Sequence, residues 1–92
     1  MITPTVGRVV WYHPERNHTQ PWAALITYVH SDRMVNLVVF DAEGFGKPKP
    51  SVQLVQDANE ERALNYCEWM PYQKGQAAKT EAFEKQLGAT AT

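Results

Sequence analysis

The chain has 92 residues and a formal net charge of −1. A chain of this length forms one domain and buries only roughly 60–65% of the surface that it exposes when unfolded, so its stability is modest. With 43% hydrophobic and 21% charged residues, the composition argues against wholesale disorder. The near-zero net charge gives no general reason to expect a nucleic-acid partner.

A single cysteine, Cys67, excludes an internal disulfide bond and fits a reduced, cytoplasmic environment. The first residues lack the charged, apolar and small-residue regions of a signal peptide, so we expect the mature protein to begin at or near Met1. The longest apolar run, Val35–Phe40, is far too short to span a membrane. The sequence therefore predicts no membrane partner.

The first predicted strand is Gly7–His13. Side chains alternate between the two faces of a strand, and this alternation places Val9 and Trp11 on one face. We expect the face that carries Trp11 to point into the core. The following segment, Pro14–Pro21, is polar apart from its prolines and predicts a solvated loop.

The segment Trp22–Asp41 predicts a β-hairpin around which the fold is organised. Its arms, Ala23–His30 and Met34–Asp41, are rich in strand-forming residues, and the short polar break His30–Arg33 joins them. Both arms are apolar on both faces, which is typical of a sheet that is covered on two sides. We therefore expect Val38→Asp to unfold the chain, and we expect the hairpin, as core, not to form a binding surface.

Four further segments follow the hairpin. Asp41–Pro50 contains two glycines and two prolines and predicts a loop, because proline cannot donate a hydrogen bond to a strand ladder. Ser51–Gln56 alternates between apolar and polar residues and predicts a half-exposed fourth strand. Asp57–Asn65 is polar and acidic and is compatible with one turn of helix, and Tyr66–Met70 predicts a short fifth strand.

The tail Gln73–Leu87 is rich in Ala, Lys, Glu and Gln, which favours a helix, and Gly88 lies where such a helix would end. Its apolar stripe is thin, so the helix on its own would be marginal in water and must dock on the barrel or on another chain. The predicted fold class is mainly β: a small five-stranded barrel formed by residues 1–72, followed by a C-terminal α-helical tail of residues 73–92.

Two groupings of residues suggest chemistry, and neither has the spacing that the chemistry requires. His13, His18 and His30 with Cys67 resemble a set of metal ligands, but no zinc-ligand spacing is present. Cys67 beside a histidine would be a nucleophile, but it lies inside a predicted strand, where a buried cysteine serves as a small hydrophobic residue. The sequence also lacks a phosphate-binding loop, a nucleophile elbow and a carboxylate pair. We therefore expect no enzyme activity, no metal and no cofactor.

Aromatic residues are a third feature, because small barrels use exposed rings to bind bases, methylated lysine or proline-rich peptides. A small barrel also needs large side chains in its core, so we expect most of these rings to be buried. The lysines and arginines form no continuous basic run beside the aromatics, which argues against nucleic acid. The candidate protein-contact residues are Tyr12, Trp22, Phe45, Lys47, Lys49, Tyr72, Phe83 and Leu87.

Four segments of the chain resemble a family of small proteins encoded by tailed bacteriophages and prophages. The segments are VGRVV at residues 6–10, AALIT at 23–27, VNLVVFD at 35–41 and CEWMPYQKGQ at 67–76. The resemblance covers most of residues 6–76 and does not extend into the rest of the tail. It implies an SH3-like barrel, a phage or prophage gene and no catalytic residues to transfer, and it does not say what the protein binds.

Two functions follow as alternatives. The first is a virion-associated structural protein that decorates the phage head or joins the head to the neck or tail. Its partners would be other phage structural proteins, with homo-oligomers formed through the C-terminal helix as an option. The second is an early phage protein that uses the polar loops Pro14–Pro21 and Asp41–Pro50 to bind a host protein or a signalling ligand. A single-stranded nucleic-acid-binding module is a weaker third reading, and the expected location is the virion or the host bacterial cytoplasm.

Overall fold

The computed structural model describes the backbone of residues 1–14 and 20–90 and the side chains of these residues up to residue 85. The elements in chain order are β1 (Val9–His13), β2 (Trp22–Ser31), β3 (Met34–Phe40), β4 (Gly46–Val55), β5 (Tyr66–Glu68) and the helix α1 (Pro71–Thr90). Most of the predicted loop Pro14–Pro21 lies outside the described residues.

The five strands close into a barrel in the order β1-β2-β3-β4-β5. β4 and β5 run parallel, and β5 then pairs antiparallel with β1 to close the sheet. Parallel neighbours need a crossover connection, and residues 56–65 provide it. The predicted fold class, a small mainly β barrel with five strands and a C-terminal helix, is confirmed.

The hairpin lies where the sequence predicts it. β2 and β3 pair antiparallel, with Ala24 opposite Val39 at one end and Ser31 opposite Met34 at the other. Two register shifts interrupt the pairing, and such bulges increase the twist and bend that a closed barrel needs.

The face of β1 that points into the core is the opposite of the one that the alternation predicts. Val10 and Tyr12 are buried, whereas Val9 is 43% exposed and Trp11 is half-buried, so the predicted inward face of β1 is wrong. Apolar residues occupy both faces of β1, so the sequence pattern alone does not show which face is buried. Pairing with the neighbouring strand decides it, because Tyr12 lies opposite the fully buried Cys67 of β5.

The core is apolar and receives side chains from every strand. Trp69, just beyond β5, is its largest member and is 1% exposed. The indole N–H of Trp69 donates a hydrogen bond to Gln56 Oε1 at 3.1 Å, so the ring is buried without an unpaired donor. The buried core cluster comprises Val10, Tyr12, Ala24, Ile26, Val35, Leu37, Val39, Val52, Leu54, Cys67 and Trp69.

The predicted loop Asp41–Pro50 is wrong in its second half. β4 already begins at Gly46, and Pro48 lies opposite Val38 in the ladder with β3. Prolines fit here because this half of β4 has β3 as a neighbour on one side only, and pairing with β5 starts at Gln53. A proline nitrogen can then point to the open edge, where no donor is needed.

The connection from β4 to β5 forms turns rather than the expected turn of helix. Gln53 holds it in place: its Oε1 accepts the backbone N–H of Ala63 at 2.7 Å, and its Nε2 donates to the Glu61 carbonyl at 2.7 Å and to Glu60 Oε2 at 3.1 Å. These hydrogen bonds to a strand replace the bonds that a local helix would make.

α1 begins earlier and ends later than predicted. Pro71 occupies its first position, where the missing N–H is not needed, and Gln73 Oε1 accepts the backbone N–H of Met70 at 2.8 Å as a capping residue does. The helix continues through Gly88 to Thr90, so Gly88 does not end it. The helix-forming residues on either side of Gly88 keep the backbone helical at this position.

The first three turns of α1, up to Glu81, make the helix's contacts with the rest of the described chain. Gln73 Nε2 donates to the Val9 carbonyl at 2.8 Å, and Glu81 Oε1 lies 3.6 Å from the amine of Met1. Within the described residues no strand packs along α1, and the chain measures 51 × 24 × 22 Å because the helix projects from the barrel. The described part of the chain holds no helix with the length and apolar character needed to cross a bilayer.

We expect Pro48→Val combined with Pro50→Val to promote association between chains. The two valines would restore N–H donors on the open edge of β4, and an unprotected edge is a template for pairing with another strand. Static light scattering over time at matched concentration measures the effect. Pro71→Ala, at the start of α1, is the control and should behave as the wild type. A double variant that scatters no more than the control would show that the prolines do not protect the edge.

Candidate functional site

An apolar surface extends across the outside of the barrel from β1 to β4. Val9 lies opposite Leu25, and Val38 lies opposite both Leu25 and Pro48, so these side chains form one row across four strands. A second row lies beside it, in which Trp11 is opposite Ala23 and Phe40 is opposite Gly46. We call this surface the outer apolar face and define it by the side chains of Val9, Trp11, Ala23, Leu25, Val38, Phe40 and Pro48.

The outer apolar face exists because successive side chains of a strand point to opposite sides of the sheet, and the strands here are apolar on both sides. Its residues alternate with buried residues such as Val10, Ala24 and Val39, which point into the core. Val9 is 43% exposed and Phe40 38% exposed. A solvent-facing side of an antiparallel sheet is ordinarily polar, so an apolar outer side suggests that another surface covers it.

The outer apolar face has no charged residue among its members and meets charged side chains at its β5 edge. Glu68, opposite Trp11, stands at its β5 edge, and the Glu68 carboxylate lies 3.1 Å from His13 Nε2 and 3.9 Å from Lys74 Nζ. An apolar centre without charges and a polar rim is the composition of a protein–protein interface.

The expectation that the hairpin is covered on both sides is met on the inner side only. The barrel buries Val39, whereas Val38 and Leu25 are left half-buried on the outer side. The premise that both sides of the hairpin belong to the core is therefore wrong, because its outer side is accessible in the isolated chain.

Three of the predicted contact residues lie at the end of the barrel where β3 meets β4. Trp22 lines a cleft of about 410 Å³ together with Phe40 of the outer apolar face. Phe45 is 65% exposed in the turn before β4, where its backbone N–H donates to Asp41 Oδ1 at 3.0 Å. Lys47 Nζ lies 3.9 Å from Asp41 Oδ2. Trp22 and Phe45 thus stand close to the outer apolar face in the chain's own fold.

The other predicted contact residues lie elsewhere. Tyr12 is 2% exposed, so its assignment as a contact residue is wrong: it belongs to the core. Lys49 lines a separate cleft with Tyr12 and is half-buried. Tyr72 and Phe83 are 73% and 61% exposed on α1, and the side chain of Leu87 lies outside the described ones.

The expectation that most aromatic rings are buried is wrong. Of the aromatic side chains in the chain, all of which the structure describes, only Tyr12 and Trp69 are buried. Valine, leucine and isoleucine from β1 to β4 fill the inner rows instead, since β-branched side chains pack well on a pleated surface. The exposed rings are Tyr28, Phe40, Phe45, Tyr72 and Phe83.

The residues proposed as metal ligands are used for other contacts. The described residues contain no group of three His, Cys, Asp or Glu side chains placed to hold a metal ion, and His18 is not among them. His13 stacks on Tyr66 with ring centroids 4.7 Å apart, and its approach to Glu68 lacks hydrogen-bond geometry. His30 Nε2 lies 2.9 Å from Asn36 Oδ1 at the other end of the barrel.

Cys67 is a core residue, as predicted. It is 0% exposed, and its Sγ donates to the Gln53 carbonyl at 3.4 Å. Burial raises the pKa of the Cys67 thiol from its ordinary value of 9.0 to about 12. A thiol with this pKa stays protonated at neutral pH and is a poor nucleophile.

Alkaline pH is expected to destabilise the fold through Cys67. In the unfolded chain the thiol ionises near pKa 9.0, whereas in the folded chain it keeps its proton up to about 12. The folded state therefore binds more protons in this window, and the free energy of unfolding falls as the pH rises through it. Urea unfolding between pH 8 and 11 measures the slope, and Cys67→Ala should remove this part of it. Equal slopes for the two proteins would contradict the assignment.

Val38→Asp and Val39→Asp form a matched pair that separates the two sides of β3. Val39 is 1% exposed, and an unpaired carboxylate there should cost several kcal/mol, about the whole stability of a small domain. At Val38 the carboxylate would remain hydrated, so we expect a folded chain that loses only about 1–2 kcal/mol. Circular dichroism with urea unfolding compares them. If both variants unfold, the outer side is covered in the isolated chain.

Comparison of the chain with protein-family models, curated proteins and solved structures gives no match. Its function is therefore inferred from its own residues, and the outer apolar face is the surface that those residues offer.

Proposed function

We propose that the chain is a non-catalytic protein-binding module that acts as a virion-associated structural protein of a tailed bacteriophage. In this role it decorates the head or joins the head to the neck or tail. The observation that carries the proposal is the outer apolar face, which presents uncharged apolar side chains on four adjacent strands.

The geometry of the outer apolar face suits a binding surface. Its side chains stand on strands that are hydrogen-bonded on a closed barrel, so they are held in place before a partner arrives. A preorganised surface loses little conformational entropy on binding. Phe40 at 38% exposure and the half-buried Trp11, two strands away, are aromatic residues of the kind that serve as anchors in such interfaces.

The resemblance to phage proteins involves the strands that form the outer apolar face. VGRVV contains Val9, AALIT contains Ala23 and Leu25, and VNLVVFD contains Val38 and Phe40. Both lines of support therefore concern the same strands. Another phage structural protein is accordingly the proposed partner.

A host-directed early protein is the alternative function, and it depends on the two polar loops Pro14–Pro21 and Asp41–Pro50. Most of the first loop lies outside the described residues. Half of Asp41–Pro50 is taken into β4, which leaves a tight turn in which Asp41 accepts the N–H of Glu43 at 2.9 Å. This turn is small for a binding loop.

Mass spectrometry of purified virions tests the proposal. We expect the chain in particles made by the strain that carries the gene. A strain in which Phe40→Glu replaces the wild-type gene should incorporate about tenfold less, since losing one anchor of an interface costs on the order of 1.4 kcal/mol or more. Leu64→Glu, at an exposed position of the crossover connection outside the outer apolar face, is the control and should be incorporated normally. Absence of the wild-type chain from the particle would overturn the proposal.

A further inference from the structure

The cleft that Lys49 and Tyr12 line lies where β4 and β5 separate. The two strands pair only along Gln53 to Val55 of β4, and before Gln53 the two segments diverge. Residues 49–52 form one wall of the cleft and residues 63–65 the other, and the buried side chain of Tyr12 lines it from the core. Its volume is about 390 Å³, which is within the range of small-molecule binding sites.

The hydroxyl of Tyr12 is a buried donor without a partner. The Tyr12 side chain is 2% exposed, and its hydroxyl makes no hydrogen bond to another described residue. Among the described side chains, His13 Nε2 is the only fully enclosed polar atom that lacks a partner, so the Tyr12 hydroxyl opens into the cleft that Tyr12 lines. Burial, with a smaller contribution from Cys67, raises the pKa of Tyr12 above its ordinary value of 10.0. The hydroxyl therefore remains a hydrogen-bond donor at neutral pH.

Lys49 supplies a positive charge on the inner side of β4. It lies opposite Leu37, which is 2% exposed, and residues directly opposite each other in a ladder point to the same side of the sheet. Lys49 is half-buried and forms no ion pair with a described residue, whereas Lys47 lies 3.9 Å from Asp41. None of the described residues that line the cleft is acidic. A half-buried ammonium group without a partner favours an anion.

A bulge brings Ser51 to the wall that carries Lys49. The register of β3 and β4 shifts here, so that Asn36 faces both Pro50 and Ser51. Ser51 has a φ of 52°, a left-handed conformation that costs a residue other than glycine about 1 kcal/mol or more. Asn36 Oδ1 accepts the Ser51 backbone N–H at 2.7 Å and stabilises this conformation. The wall therefore carries a hydroxyl group in addition to the ammonium group.

From these groups we infer that the cleft binds a small monocarboxylate, in which one carboxylate is joined to a compact apolar group. The carboxylate accepts hydrogen bonds from Lys49 Nζ and from the hydroxyls of Tyr12 and Ser51. The apolar group lies between Pro50 on one wall and Ala63 on the other. This site shares no residue with the outer apolar face and goes beyond the proposed function.

The charge and the walls of the cleft decide between classes of ligand. A single lysine balances one negative charge, so the second charge of a phosphate monoester would remain unpaired in a partly enclosed site. An ammonium group and a phenol together match the two acceptor oxygens of a carboxylate. The apolar side chains of Pro50, Val52 and Ala63 favour an apolar body over a sugar or a polar chain. A cationic ligand would be repelled by Lys49.

Titration of the isotope-labelled full chain with benzoate, followed by proton–nitrogen correlation NMR, tests the inference. We expect saturable shifts at the backbone amides of Ser51, Val52 and Ala63, with a Kd of about 1 mM or tighter for a ligand of this size. Benzamide has the same shape without the charge, and benzylamine carries the opposite charge. Both should bind at least about tenfold more weakly than benzoate.

Two variants test the two main contacts separately. Lys49→Met removes the charge and keeps most of the apolar stem, and Tyr12→Phe removes only the hydroxyl while filling the same space in the core. Each should weaken benzoate binding about tenfold, since each removes a hydrogen bond to a charged group. Lys47→Met, on the same strand and outside the cleft, is the matched control and should bind benzoate as the wild type does. Tyr12→Phe keeps the test decisive even if Lys49→Met fails to fold.

Four results would overturn the inference. The first is the absence of saturable shifts with benzoate up to about 20 mM. The second is equal binding of benzoate and benzamide, which would show an apolar cleft without an anion site. The third is benzoate binding that neither variant weakens, which would place it elsewhere on the chain. The fourth is tighter binding of inorganic phosphate than of benzoate. All of these measurements use the isolated chain, so their outcome is independent of whether the chain is found in virions.

Discussion

The burial of Trp69 is the constraint on which the rest of the structure depends. Its indole N–H needs an acceptor in the core, and Gln56 Oε1 supplies it at 3.1 Å. The Nε2 of the same Gln56 donates to the Ile2 carbonyl at 2.9 Å and to the Asp32 carbonyl at 2.7 Å. The Arg8 guanidinium lies 5.7 Å from the centre of the Trp69 ring on another side. The N-terminus, the hairpin turn and the end of β5 therefore meet around one residue.

A second polar group stabilises the same end of the barrel. Arg33, in the hairpin turn, lies 3.1 Å from both Asp57 Oδ2 and Glu60 Oε1. Burial raises the pKa of Glu60, but hydrogen bonds from the Gln56 backbone, Arg33 and Gln53 outweigh it and hold the pKa below its ordinary value. Glu60 thus remains a carboxylate that ties the crossover connection to the hairpin.

Placing Trp69 in the core also determines the course of α1. The chain leaves the core at Met70, and Pro71 begins the helix at once, so its first turns lie against β1 and the N-terminus. The remainder projects away from the barrel and leaves Phe83 61% exposed. The described chain therefore exposes apolar side chains both on the outer apolar face and on the helix, and their burial is favourable when another surface covers them.

The sequence by itself determined the number of strands, the hairpin, the burial of Cys67 and the helical tail, since local alternation, turn residues and helix propensity act over a few neighbouring residues. Only the tertiary structure decided which side of β1 and of the hairpin strands faces inward. Val9 and Val10, or Val38 and Val39, are equivalent in pattern, and the register with neighbouring strands separates them. The tertiary structure also decided that Pro48 lies in a strand. Proline is excluded from a strand only where a neighbouring strand would accept a hydrogen bond from the backbone N–H that proline lacks. The outer apolar face therefore escaped prediction: most of its residues are strand formers in the sequence, and only the register of the closed barrel places them on its outer surface.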